Sequence, residues 1–291
     1  MNRLVGGAAF HREDQVSWEG RHPGSRRKPG VVQKIDEVAT SVGARAVVTQ
    51  PQPHERHHQT RPHPGEATLK TLSDWRQWWE YVPDTCWRSP HGVGRSVSGR
   101  ELHPVTQVSY EDADAYAAWA GKSLPTEAEW EFAARGGLEG ATFPWGEELT
   151  PKGRRMANTW HGAFPWEYLS SSKALRIPGT TPVRMYPPNN YGLYDVVGNV
   201  WEWTSDHYSS RHRDPAPSRC CAPRNPHVGP ALDVGGSGRF ALRVTKGGSH
   251  LCAPNYCLRY RPAARQGQSE DTATCHLGFR CVVRPAVQEK A

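Results

Sequence analysis

The sequence predicts an α+β fold with little regular secondary structure. Two segments carry helix-start signals, Ser109-Tyr-Glu-Asp112 and Thr126-Glu-Ala-Glu129, because each places an acidic residue three positions after a serine or threonine. Strand-like composition is confined to short apolar runs. The 28 glycines and 25 prolines among 291 residues indicate that loops make up much of the chain.

Each predicted element follows from its local pattern. The first signal opens a helix that Gly121 ends, with an apolar face of Ala113, Tyr116, Ala117 and Ala120. The second opens a helix through Trp130 that closes at Gly136-Gly137. An aromatic-rich segment predicts a further helix over residues 73–82. The predicted strands are Val196-Val197, 240–244 and 279–283.

Residues 1–66 differ from the rest of the chain. They hold one of the 12 tryptophans and six of the 14 histidines. Such a segment buries too little apolar surface to offset the entropy of ordering it, and we expect it to be poorly ordered. Its cluster of His54, His57, His58 and His63 is interpreted as a solvated linker rather than a metal site. The folded domain is predicted over 67–285, with a tail at 286–291.

Charge and hydropathy restrict the class of protein. The formal net charge is +7, but the basic residues are dispersed, which argues against a nucleic-acid partner. No apolar stretch approaches the length of a membrane span, and the N-terminus lacks the pattern of a signal peptide. We therefore expect a soluble cytoplasmic protein whose cysteines are mostly free thiols.

Cys252 and Cys257 stand five positions apart in Lys246-Gly-Gly-Ser-His-Leu-Cys252-Ala-Pro-Asn-Tyr-Cys257. Two thiols at this separation can meet across a tight loop, where they can bind a soft metal ion, form a labile disulfide or act as a nucleophile. A structural zinc site with Cys275 and His276 also has suitable ligand types. The residues alone leave these uses open.

From about residue 72 to 283 the chain resembles the formylglycine-generating enzymes, also called sulfatase-modifying factors. The motifs that carry the resemblance are His103-Pro-Val105, Leu124-Pro-Thr-Glu-Ala-Glu-Trp-Glu-Phe132, Ala134-Arg-Gly-Gly137, Phe143-Pro-Trp-Gly146, Ala157-Asn-Thr-Trp160, Asn190-Tyr-Gly-Leu-Tyr-Asp-Val-Val-Gly-Asn-Val-Trp-Glu-Trp203, Lys246-Gly-Gly-Ser249 and His276-Leu-Gly-Phe-Arg280. The resemblance implies a fold of the formylglycine-generating-enzyme type, which is similar to C-type lectins.

The resemblance also implies an oxidoreductase that modifies protein cysteine. Its substrate would be an unfolded sulfatase segment with a Cys-x-Pro-x-Arg motif, and O2 and a reductant would convert the cysteine to Cα-formylglycine. Cys252 and Cys257 match the thiols that hold Cu(I) in the family, in agreement with the preference of soft thiolates for this ion. Ser249 matches a serine near the oxygen pocket, and Trp201 matches the aromatic beside it.

Two calcium sites follow from the same resemblance. The first would use the side chains of Asp195 and Glu202 with the carbonyl groups of Gly198 and Val200. Oxygen ligands suit this hard cation. The second would begin at Asn158 and the Thr159 carbonyl, but no Asp-Gly pair stands where the family has its acidic ligand.

Two other functions remain as alternatives. An iron-dependent sulfoxide synthase would share the fold, but it requires a three-histidine site and has no need of the thiol pair. A non-catalytic lectin-like binding module would also share the fold, because fold alone does not specify function.

Overall fold

The computed structural model describes residues 3–4, 48–49, 80–81, 85–92, 96–169, 179–210 and 241–284. Its α-helices are α1, Tyr110–Trp119, and α2, Glu127–Arg135, and a 3-10 helix spans Pro151–Gly153. The strands are β1, Arg3–Leu4; β2, Val48–Thr49; β3, Glu80–Tyr81; β4, Trp201–His207; β5, Leu242–Lys246; β6, Arg265–Ser269; β7, Leu277–Phe279; and β8, Val282–Val283. The α+β fold class with little regular secondary structure is confirmed.

Both predicted helix starts are confirmed as capping boxes. The Ser109 hydroxyl accepts from the Asp112 N–H at 3.2 Å, and the Asp112 carboxylate accepts from the Ser109 N–H at 2.9 Å. Thr126 and Glu129 make the same exchange at 3.1 and 2.8 Å. Helix α2 ends at Gly136, whose φ of 57° is left-handed and suits glycine.

A four-stranded sheet in the order β6-β5-β4-β7 forms the centre of the fold. Strand β4 is antiparallel to β5 and parallel to β7. Its first four residues, 201–204, are all buried, as expected for a central strand. Residues 196–197 form a bend rather than the predicted strand, and the chain becomes extended only from Trp201.

Two shorter strand pairs involve the N-terminal part of the chain. Strand β1 pairs with β8, and β2 pairs with β3. The helix predicted over 73–82 is wrong at residues 80–81, which form β3, and residues 73–79 and 82 lie outside the described part. Of residues 1–66, only 3–4 and 48–49 are described, so the histidine cluster lies outside it as well.

The hydrophobic core lies between the helices and the central sheet. Trp130 of α2 and Trp203 of β4 are 1% and 0% exposed. The Trp203 indole N–H donates to the Val108 carbonyl at 3.1 Å, so its polar atom is satisfied within the core. Among the described residues, no helix is long and apolar enough to cross a membrane.

Candidate active site

The loop that follows β5 carries the two cysteines of interest. Gly247 and Gly248 bend the chain at its start, with φ of 92° and 70°. A Cβ atom at Gly248 would lie 2.9 Å from both the amide nitrogen of Tyr260 and the carbonyl carbon of Arg259. Glycine avoids this contact and the left-handed strain, which allows the loop to fold back against its own end.

Cys252 and Cys257 meet across this loop, with their sulfur atoms 2.8 Å apart. Two backbone hydrogen bonds bring them together: Cys252 donates to the Ser249 carbonyl at 3.0 Å, and Cys257 donates to the Ala253 carbonyl at 2.8 Å. A disulfide would hold the sulfur atoms at about 2.05 Å. Both residues are therefore free thiols joined by an S–H···S hydrogen bond.

The two thiols differ in their surroundings. Cys252 is 2% exposed, and burial raises the pKa of its thiol well above the usual range. Cys257 is half-buried, and its pKa is lowered, first by the hydrogen bond from Cys252 and then by the charge of the Arg259 guanidinium. Cys257 is therefore the first of the pair to ionise, and Cys252 then donates its proton to the hydrogen bond with the Cys257 thiolate.

Ser249 lies directly against the thiol pair. Its side chain is fully buried, and its backbone N–H points to the Cys252 sulfur at 3.5 Å. The Ser249 hydroxyl accepts from the Leu251 N–H at 3.2 Å, which leaves its own hydrogen available for donation. Trp201 is 4% exposed and belongs to the same hydrophobic cluster as Cys252. Ser249 therefore lies on the buried side of the thiol pair, and Trp201 lies in the hydrophobic core of the protein.

The outer side of the thiol pair is aromatic and aliphatic. Tyr256 and Leu258 flank Cys257 in the chain and are 46% and 45% exposed. The Tyr256 ring stacks on the buried Phe164 ring with centroids 4.7 Å apart. The Asn255 side chain accepts from the Phe164 N–H at 3.2 Å and donates to the Phe164 carbonyl at 2.9 Å. A polypeptide that approaches Cys257 therefore meets a firmly supported apolar surface.

The predicted calcium ligands lie in the loop before β4 and at Glu202, the second residue of β4. Asp195 has a left-handed φ of 51°, and one of its carboxylate oxygens accepts from the Arg184 N–H at 2.8 Å. Burial raises the Asp195 pKa. The Glu202 carboxylate is 2.5 and 2.6 Å from the Arg280 guanidinium, and the Trp130 indole donates to it at 2.6 Å. Glu202 thus already has a buried cationic partner.

Glu202 can bind a metal ion only through an oxygen lone pair that accepts no hydrogen bond. Its Oε2 atom accepts from both Arg280 and Trp130, and its Oε1 atom accepts from Arg280 alone. Since each carboxylate oxygen has about two lone pairs, one on Oε1 remains for a metal ion. Gly198 and Val200, whose carbonyl groups complete the predicted set, are both buried in the same loop. All four predicted ligands are oxygen donors, the type that a hard cation such as calcium prefers.

Asn158, the first residue of the predicted second calcium site, donates hydrogen bonds to neighbouring protein groups. The Asn158 amide donates to the Gly179 carbonyl at 2.9 Å and to the Asn199 side chain at 3.2 Å. Asn158 and Thr159 are each 4% exposed. Residues 170–178, which include part of the segment expected to supply an acidic ligand, lie outside the described part.

The structure also bears on the zinc and iron alternatives. Within the described ranges, no three His, Cys, Asp or Glu side chains form a group that could hold a metal ion. Cys252, Cys257, Cys275 and His276 are all described, so they do not assemble a zinc site. The described residues likewise provide no three-histidine iron site.

Three residues of the site were not singled out from the sequence. Arg280 belongs to the motif His276-Leu-Gly-Phe-Arg280, but its partner Glu202 is 78 residues away. His250 and Tyr260 are fully buried next to or near the thiol loop. His250 stands shortly before Cys252 and Tyr260 shortly after Cys257, which could have drawn attention to them. Their sequence positions do not reveal that both side chains are buried.

Comparison with known proteins shows which family this chain resembles. A match to the family described as Sulfatase-modifying factor enzyme 1-like domain extends over residues 31–285. The chain is 54% identical over 215 residues to the formylglycine-generating enzyme of Mycobacterium tuberculosis, covering 74% of this chain and 68% of that protein. It is 47% identical over 223 residues to the enzyme of the same name from Thermomonospora curvata, covering 76% and 69%.

Among solved structures, the chain is similar to PvdO from Pseudomonas aeruginosa, with a TM-score of 0.44, 26% identity and coverage of 62% of each chain. The family match begins within the compositionally distinct segment 1–66. It includes the thiol loop and the segment 195–202 in full.

Proposed function

Because the chain belongs to the Sulfatase-modifying factor enzyme 1-like family, we propose that it converts a cysteine of a sulfatase polypeptide into Cα-formylglycine. Relatives that are 54% and 47% identical are named for the generation of formylglycine. The observation that carries the proposal is the pair of free thiols of Cys252 and Cys257, 2.8 Å apart at the edge of the core.

The substrate is a flexible segment with a Cys-x-Pro-x-Arg motif. Cys252 is closed off by the core, whereas Cys257 is half-buried and adjoins the exposed Tyr256 and Leu258. A substrate cysteine therefore has to approach from the side of Cys257. An extended, unfolded segment can place its cysteine there while its neighbours lie on the apolar surface, which a folded domain does less easily.

Cys252 and Cys257 would hold a single Cu(I) ion as the cofactor of an oxidoreductase. Two soft thiolates without a third His, Cys, Asp or Glu among the described residues suit this ion better than zinc, which takes four ligands in structural sites. When bound, the copper supplies the activation of O2 that oxidation of the substrate cysteine requires, with a reductant as the further co-substrate.

The protein side chains prepare the thiols for a metal. Cys252 and Cys257 would hold the ion through their sulfur atoms, which share a hydrogen bond of 2.8 Å in the metal-free protein. The Cys257 side chain can move more easily than that of Cys252, because Cys252 is buried and its sulfur faces the Ser249 N–H at 3.5 Å. Both thiols must also lose their protons, and the raised pKa of Cys252 makes that thiol the harder one to deprotonate.

Ser249 and Trp201 have supporting roles in this proposal. The free hydroxyl hydrogen of Ser249 can donate to oxygen or to a substrate sulfur that reaches the thiol pair. Trp201, 4% exposed, helps the core to exclude water from Cys252, which limits unproductive oxidation. A calcium ion on Asp195, Gly198, Val200 and Glu202 would stabilise the loop that leads into β4.

A peptide assay tests the proposal. The protein, supplied with Cu(I), a thiol reductant and air, is incubated with a Cys-x-Pro-x-Arg peptide, and aldehyde is detected by mass spectrometry after trapping with an aminooxy reagent. We expect aldehyde from the cysteine peptide and none from a serine peptide of otherwise identical sequence. A protein that binds both peptides and converts neither would be a binding module instead.

A further inference from the structure

Asn199 joins the loop before β4 to the loop that carries the thiols. Its backbone carbonyl accepts two hydrogen bonds from His250, one from the backbone N–H at 3.0 Å and one from the Nδ1 atom at 2.7 Å. The N–H of the preceding residue, Gly198, donates to the Gly247 carbonyl at 2.9 Å. Three hydrogen bonds therefore hold the start of the thiol loop against the turn at residues 198–199.

The side chain of Asn199 fixes this turn. The residue has a left-handed φ of 59°, which asparagine tolerates better than most other residues. Its amide oxygen accepts from the Thr181 N–H at 3.0 Å, and its amide nitrogen donates to the Thr181 carbonyl at 3.2 Å. Because the residue is only 1% exposed, water does not compete for these contacts. The backbone carbonyl of Asn199 is thus held in the direction of His250.

A second connection leads from Asn199 to Cys252. The Asn199 N–H donates to the Asn158 carbonyl at 2.8 Å, and the Asn199 amide oxygen also accepts from the Asn158 side chain at 3.2 Å. Two residues further along, the Trp160 N–H donates to the Cys252 carbonyl at 3.0 Å. The backbone around Cys252 is therefore attached to Asn199 from two sides, through His250 and through Trp160.

These connections hold the more deeply buried of the two thiols. The Cys252 N–H donates to the Ser249 carbonyl at 3.0 Å, and the Ser249 N–H faces the Cys252 sulfur at 3.5 Å. Cys252 is 2% exposed, whereas Cys257 is half-buried. A ligand that is already fixed loses less conformational entropy when a metal ion binds than a mobile one does. The fixed backbone of Cys252 thus favours metal binding by the pair.

We propose that Asn199 is a positioning residue for the thiol pair, because its side-chain amide holds the turn that keeps Cys252 in place. This inference rests on the proposed function, in which Cys252 and Cys257 hold Cu(I). Asn199 acts through His250 and Trp160. Replacement of a residue that orients a metal ligand typically lowers metal affinity about 10- to 100-fold.

The test compares Asn199→Gly with the matched control Asn189→Gly. Glycine accepts the φ of 59° at position 199, so this change removes the amide and leaves the turn accessible. Asn189 is also buried, and its side chain makes four hydrogen bonds, with the carbonyl groups of Ala133 and Ala134 and with the N–H groups of Tyr191 and Leu193. Its partners belong to α2 and to the segment 191–193, so the control removes a buried amide of another part of the fold.

The first readout is Cu(I) affinity, measured without O2 by competition with the chromophoric chelator bicinchoninate, below the Tm of each protein. We expect Asn199→Gly to bind Cu(I) about 10- to 100-fold more weakly than the wild type. Asn189→Gly should lower Tm and leave the Cu(I) affinity unchanged. An unchanged affinity in Asn199→Gly, or an equal loss in Asn189→Gly, would overturn the inference.

A conservative variant provides a graded comparison. Asn199→Asp keeps an acceptor oxygen for Thr181 and Asn158 and loses only the donor to the Thr181 carbonyl. Its Cu(I) affinity should lie between those of the wild type and Asn199→Gly, and it carries the test if the glycine variant does not fold. A wild-type affinity in Asn199→Asp together with an unfolded Asn199→Gly would assign the amide a purely structural role.

The second readout needs no copper. Iodoacetamide should modify Cys252 of metal-free Asn199→Gly about tenfold faster than Cys252 of the wild type, because local opening of the loop exposes this thiol. Asn189→Gly should show the wild-type rate. If the wild type neither binds Cu(I) nor converts the peptide, the proposed function fails. If the wild type does both and the rate at Cys252 is the same in Asn199→Gly, only the role of Asn199 fails.

Discussion

Arg280 and Glu202 form a bidentate ion pair in the interior of the protein, with nitrogen–oxygen distances of 2.5 and 2.6 Å. The two side chains are 1% and 4% exposed. Arg280 Nη2 also donates to the Tyr194 and Asp195 carbonyl groups at 3.2 and 3.3 Å. One guanidinium therefore connects the end of β7 to the start of β4 and to the loop before it.

Arg280→Met should destabilise the protein strongly. It leaves the Glu202 carboxylate buried without its cation, which costs about 3–5 kcal/mol in the free energy of unfolding. Urea denaturation measures the change. The control is Arg284→Met, which removes a pair with Glu129 of similar length, 2.6 Å, but with side chains 38% and 19% exposed. That change should cost about 0–1 kcal/mol, and equal losses would contradict the account.

Gly248→Ala should damage the thiol loop specifically. Its Cβ atom would come within 2.9 Å of the backbone at Arg259 and Tyr260, so the loop would have to shift. Gly140→Ala is the matched control, because Gly140 has a similar φ of 76° but nothing within 4 Å of the added atom. Gly140→Ala should lower the free energy of unfolding by roughly 1 kcal/mol, from backbone strain alone.

The contact at Gly248 should add about 1–3 kcal/mol to this cost and reduce peptide conversion. Urea denaturation and the aldehyde assay measure both effects. Similar behaviour of the two alanine variants would show that the close approach at Gly248 is unimportant.

Stability should fall as the pH decreases from about 6.5 to about 4. Burial lowers the pKa of His250 to about 4, while the unfolded chain has a His pKa near 6.5. Between these values the unfolded state binds a proton that the folded state excludes, so acid favours unfolding. The neutral, buried His250 thus contributes about 3 kcal/mol to the free energy of unfolding above about pH 6.5, and this contribution is lost as the pH falls to about 4.

His250→Asn keeps a donor for the Asn199 carbonyl, to which the His250 Nδ1 atom donates at 2.7 Å, and should flatten this pH dependence. Denaturant midpoints between pH 4 and 7.5 measure it. His276, whose pKa burial lowers to about 3, should leave part of the dependence in place. The exposed His91→Asn is the control, and an unchanged slope in His250→Asn would contradict the prediction.

Cys257 should react with iodoacetamide before Cys252 in the metal-free protein. Its pKa is lowered by the hydrogen bond from Cys252 and by Arg259, and it is the more accessible thiol. Peptide mapping after timed alkylation identifies the modified residue. Cys281 is the internal control, since burial raises its pKa to about 12 and it should remain unmodified. Faster modification of Cys252 would reverse the assigned asymmetry.

The local elements of the fold were predictable, and the sheet was only partly so. Capping boxes are local patterns, and both helix starts are confirmed. Strand β6, Arg265–Ser269, has a polar sequence and was missed because its neighbour β5 defines it rather than its own composition. Residues 195–202 were interpreted as a calcium loop, and the strand that begins at Trp201 was missed because its partner strands β5 and β7 come from distant parts of the sequence.

The sequence predicted the thiol pair but not the contacts that surround it. The spacing of Cys252 and Cys257 indicated a pair, and the structure brings their sulfur atoms together. The support of Tyr256 by Phe164 joins residues from distant parts of the chain, which no local pattern reveals. The complete burial of Tyr260 depends on neighbours on all sides, and only the folded protein shows it.

The most direct measurement is the yield of aldehyde peptide from Cys252→Ser compared with the wild type, with Cu(I) and reductant supplied to both. Cys275→Ser is the control for loss of a buried thiol outside the pair. The account predicts aldehyde from the wild type and the control, and none from Cys252→Ser, because the thiol of Cys257 alone would not hold the Cu(I) ion. Undiminished aldehyde formation by Cys252→Ser would contradict the account.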